Sequence, residues 1–133
     1  MDDIDTLHEK FQVATAAYHE ANLEAKAETA ALLLLAGHAL AVAPNATHML
    51  MESSDQGNHM CVPLFLTVGE EHVAEEEWDA RVEEYDDELS QAASWLTWGH
   101  DSWEDYTDLD HAFSRTRSGY YAMDLGRIKE AQA

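Results

Sequence analysis

The sequence predicts an α+β domain. Apolar residues recur at helical spacing over 7–35 and again over 78–96, and between these stretches two short runs rich in Met, Leu, Val and Phe flank the turn-forming segment "SSDQGN". At 133 residues the chain has the length of one domain, 1–133, able to bury a core without covalent staples. Hydrophobic residues make up 46% of it, so the net charge of -20 belongs on the surface of a folded protein rather than in a disordered coil.

The first element is a long N-terminal helix. From Leu7 the apolar positions step through Phe11, Ala14, Tyr18, Ala21 and Ala25, then resume at Leu32 and Leu35. Thr6 and Glu9 have the spacing of a capping box, which starts the helix there. Pro44 ends it, with a bend at Gly37. Its last part, "AALLLLAGHALAVAP", resembles a signal-peptide core, yet the seven acids that precede it are the reverse of the basic start a secretory signal needs. The run is also too short to cross a bilayer and contains His38, so it reads as the buried end of a soluble helix. A single cysteine, Cys61, allows no internal disulfide and fits a cytoplasmic protein.

Residues 46–52 and 59–66 read as a β-hairpin around Asp55 and Gly57. With Ser54 paired to Asn58, His48 falls opposite Leu64 and lies roughly 16 Å along the ladder from His59. His48, His59 and Cys61 then form no metal site, because two ligands on one face are too few for zinc. Cys61, in an apolar strand, is expected to be an inert thiol.

An amphipathic helix follows from about Glu70 to Trp98, with Trp78, Val82, Tyr85, Leu89, Ala92 and Leu96 as its stripe and Gly99 as its stop. A third helix starts at Ser102 with Asp105, carries Trp103, Tyr106, Leu109 and Phe113, and ends with Arg115 and Arg117 before Gly119. "YYAMDL", residues 120–125, alternates weakly and offers a third antiparallel strand to the hairpin, leaving "GRIKEAQA" as a frayed tail. The whole is a long N-terminal helix, a hairpin extended to three strands, and acidic helices packed on one face.

The extreme feature is charge. Residues 70–88 hold eleven acids against Arg81, which on one continuous helix is roughly one net negative charge per 3 Å of axis, close to the spacing along a DNA strand. The expectation is a non-enzymatic, cytoplasmic inhibitor that blocks a basic surface of a partner protein, a nucleic-acid-binding surface being one case, as blockers made by phages and other mobile elements do. Glu71, Glu75, Asp79, Glu83, Glu84, Asp86 and Asp87 would steer the partner, with Trp98 and Trp103 as anchors. Direct nucleic-acid binding is disfavoured by the protein's own field, and neither membrane nor cofactor is called for.

Two other readings stand beside this one. The acidity serves solubility or a salty cytoplasm, which the three lysines fit equally well. Alternatively, His100, Asp101, Asp108 and His111 serve a metal-dependent hydrolase, although no ligand spacing singles them out. No catalytic nucleophile or phosphate-cradling loop is evident in the sequence.

Overall fold

The computed structural model describes residues 2–21, 24–52, 60–96, 104–108 and 120–131. It is an α+β fold in which helices cover one face of a four-stranded antiparallel sheet. The N-terminal helix is in fact two, α1 (Ile4–Ala21) and α2 (Glu24–Val42), which pack against each other. The apolar stripe gives no warning of the break, since it resumes in phase after it. Helix α1 begins three residues earlier than the Thr6 box predicts, because Asp3 caps it: the Thr6 N–H donates to Asp3 Oδ1 at 2.8 Å. That bond holds the Asp3 carboxyl below the usual carboxylate range.

Helix α2 runs through Gly37 to Val42, and residues 31–39 are buried without interruption. A helix apolar on every side must be wrapped on every side. Helix α1 covers one flank of it, while α3 (Glu75–Glu84), α4 (Asp86–Ser94) and α5 (Leu125–Ala131) cover others. Gly37 is a contact point rather than a bend. A Cβ there would meet Leu7 Cδ1 at 2.4 Å and Ile4 Cδ1 at 3.2 Å, so its absence lets the first turn of α1 settle on α2.

The sheet has the order β3-β2-β1-β4, with β1 (His48–Glu52), β2 (Phe65–Val68), β3 (Glu71–Val73) and β4 (Tyr120–Asp124). The predicted third strand is present as β4, paired with β1 over its full length. The hairpin is shifted from its predicted register: His48 faces Thr67, not Leu64. Pro63 explains the shift, because proline lacks the N–H a ladder needs and strand pairing resumes only at Phe65. Cys61 consequently lies outside the strand and is half-buried, bonded through its N–H to the Glu52 carbonyl.

The predicted 70–98 helix is broken twice. Gly69, at φ 61, and Glu70 form a two-residue turn into β3, so Glu71 belongs to a strand. Ala74 then adopts the left-handed conformation, φ 50 and ψ 40, and α3 begins. Tyr85, at φ -113 and ψ 30, separates α3 from α4. Each helix opens on three acids, Glu75 to Glu77 and Asp86 to Glu88, where the N-terminal partial positive charge favours them.

The third predicted helix is replaced, where described, by a 3-10 turn at Glu104–Tyr106 and a bridge from Thr107 to Met123. The predicted tail is helix α5. Asp124 caps it through the Arg127 N–H at 3.1 Å, and its Leu125 and Ile128 are fully buried. Residues 53–59, where the turn is expected, and the residues Trp98, His100, Asp101, Trp103 and His111 lie outside the described residues.

Side chains alternate across the sheet. Met49, Met51, Leu66 and Met123 face the helices and join Leu7, Phe11, Leu32, Leu35, Trp78 and Leu89 in the core. His48, Leu50, Thr67, Ala122 and Asp124 point to the opposite face. The Trp78 indole N–H donates to the Pro63 carbonyl at 2.8 Å, tying α3 to the start of β2.

Two substitutions check this packing by denaturant unfolding. Gly37→Val should cost about 1–3 kcal/mol, since the fully buried Leu7 must yield. Ala74→Gly should add about 0.5–1 kcal/mol by relieving the left-handed strain.

Candidate functional site

Ten of the eleven acids between residues 70 and 88 are exposed, including Glu71, Glu75, Asp79, Glu83, Glu84, Asp86 and Asp87. The break at Tyr85 gives their surface a shape that a single helix would lack. A cavity of about 390 Å³ opens there, lined by Glu83, Glu84, Tyr85, Asp86, Asp87 and Glu88. The continuous rod behind the DNA-like spacing is absent, since α3 alone is about 15 Å long.

Arg81, the one cation of this segment, turns inward. Its Nε–H donates to His38 Nδ1 at 2.9 Å, and its guanidinium lies over the Tyr85 ring at 4.5 Å. With Nδ1 accepting, the His38 proton resides on Nε2, which donates to Glu88 Oε2 at 2.5 Å. His8 Nδ1 comes within 2.5 Å of Glu88 Oε1, off the line of a hydrogen bond. The network therefore joins α1, α2, α3 and α4, and it removes Glu88 from the acidic surface. Burial pushes the His38 pKa below its ordinary value; the bond and charge of Glu88 oppose this, while Arg81 and His8 add to it.

A second constellation lies on the sheet face away from the helices. His48 Nε2 is 2.9 Å from Asp108 Oδ2, and Asp124 sits across the ladder from His48. One ligand atom from each of the three falls within 4.8 Å of the others. Asp108 is held there by its own N–H, which donates to the Ala122 carbonyl of β4 at 2.8 Å. Of the four residues of the hydrolase reading, only Asp108 is described, and its partner is His48, which the hairpin geometry had set aside. Asp108 and His48 are 60 residues apart.

Of the aromatic anchors, Trp98 and Trp103 lie outside the described residues, while Leu96 is fully buried and Trp95 half-buried. Among the described residues no helix is long and apolar enough to cross a membrane. Comparison with protein-family models, with curated proteins and with solved structures returns no match for this chain.

The His38 network has a pH signature. A folded-state pKa below the unfolded value of 6.5 means that the unfolded chain takes up a proton first as pH falls. The stabilisation is complete above pH 6.5 and declines as pH drops toward the folded value. Thermal melts between about pH 7.5 and 5.5 should show a falling Tm whose slope is flattened in His38→Gln.

Proposed function

We propose that this chain is a small acidic binding protein that blocks a basic surface on a partner protein. The observation that carries the reading is the acidic notch at the α3–α4 junction, with Arg81 turned away from it. Four exposed carboxylates around one concavity, Glu83, Glu84, Asp86 and Asp87, suit an inserted lysine or arginine side chain. The surrounding exposed acids add a long-range field that speeds encounter and selects basic partners. Four helices joined through His38 and Glu88 hold the notch in shape, so little order need be gained on binding.

A surface that otherwise receives phosphates is one such target, since it too is basic. The reading requires no cofactor, no catalytic residue and no direct contact with nucleic acid, and the lone thiol is compatible with action in the cytoplasm.

The test uses the full chain as bait in a host lysate, beside a variant in which Glu83, Glu84, Asp86 and Asp87 become the corresponding amides. A basic partner should be retained at roughly 0.05 M salt and released at about 0.5 M, where the Debye length is about 4 Å. The variant should lose it. Retention that ignores both salt and the substitutions, or no partner at low salt, would leave the acidic surface a solubility device.

A further inference from the structure

The geometry around His48 points to a cation site that is separate from the acidic notch and independent of its function. Thr47 holds the ring in place. Its N–H and its hydroxyl both donate to the Thr67 carbonyl, at 2.8 and 3.2 Å, so the hydroxyl oxygen is left to accept. It accepts the Gly69 N–H at 2.8 Å and stands 2.9 Å from His48 Nδ1. With the hydroxyl hydrogen directed at Thr67, His48 carries its proton on Nδ1. In the neutral ring this leaves the Nε2 lone pair facing the Asp108 carboxylate at 2.9 Å, with Asp124 alongside. Three such ligand atoms within 4.8 Å of one another are close enough to share a cation. A metal-ligating histidine whose other nitrogen is held by a hydrogen bond is the usual arrangement around such an ion.

A second observation comes from β2. Thr67 is the cross-strand neighbour of His48 on the same face, fully buried, and its hydroxyl has no hydrogen-bond partner. A buried hydroxyl left unpaired costs stability, and this one lies on the sheet face that carries His48 and Asp124. Thr67, His48 and Asp124 thus form one row across β2, β1 and β4, and Asp108 reaches in from beyond β4.

We propose that His48 Nε2 and one oxygen each of Asp108 and Asp124 bind a divalent transition ion of the zinc class, with Thr67 hydrogen-bonding a water on it. An imidazole among the ligands favours such an ion over calcium or magnesium, which take oxygen. Three protein ligands leave a position open, and the Asp108 and Asp124 side chains, 24% and 25% exposed, give access from solvent. Arg127 Nε, 3.6 Å from Asp124 Oδ2, is a weak competitor on a side chain that is 53% exposed and free to withdraw.

Zinc and cobalt uptake by the full chain is measured by equilibrium dialysis in about 0.3 M salt, which screens diffuse binding to the acidic face. One equivalent of zinc should bind, cobalt should give visible bands of a low-coordinate site, and the His48 Nε2 nitrogen resonance should shift on zinc addition. His48→Gln and Asp108→Asn should each weaken binding at least tenfold, while Glu83→Gln/Glu84→Gln leaves it unchanged. The nitrogen resonance is read on the unaltered chain, so the test holds even if a site variant folds poorly. Uptake that salt abolishes, uptake indifferent to both site substitutions, or an unmoved His48 resonance would overturn the proposal and leave an imidazolium–carboxylate pair.

Discussion

A stretch of helix with no solvent face governs this molecule. Residues 31–39 of α2 are buried in unbroken succession, so the chain must supply covering surface all around, and α1, α3, α4 and α5 are what it supplies. The same enclosure traps one ring that cannot go unpaired. His38 is fully buried, and it is satisfied by Arg81 from α3 and Glu88 from α4, the two helices that bear nine of the eleven acids of residues 70–88. Apolar burial fixes where these helices lie, and the polar contacts fix which way they are turned.

That orientation has an electrostatic result. Arg81 would partly neutralise the acids if it pointed outward, and Glu88 would add to them. Both are drawn inward, where they compensate one another across a histidine. The exposed surface from Glu70 to Asp87 is consequently of one sign, although the segment as a sequence is not. Mutual repulsion among those acids is eased by placing three at each helix start, where the backbone dipoles oppose it.

The helical character of both halves and the strand at 120–124 were legible because apolar spacing and alternation report burial directly. Interruptions were not. Tyr85 occupies the phase a continuous helix would give it, and β3 is three residues long, too short for a pattern. The better clues were the acidic triplets at 75 and 86 and the turn glycine at 69, each a boundary signal overshadowed by the stripe running through it. Of the candidate contact residues, the acids on α3 and α4 are exposed as their polarity implies. The His48 cluster was hidden because its members come from three distant segments and are ordinary one by one. It exists only through the β1–β4 register, which a residue spacing does not encode.

The two margins of the sheet are unlike. Beyond β4 lies the Thr107 to Asp108 segment, bonded to Ala122 and bridged to Met123, so that margin is already occupied. The margin at β3 is only Glu71, His72 and Val73, with Glu70 at its turn. A second molecule trying to extend the sheet there would find a very short template and would bring glutamates against its own glutamates. Short, charged margins are how β-proteins avoid growing into fibres. At high concentration, the same acidity keeps identical copies from joining strand to strand.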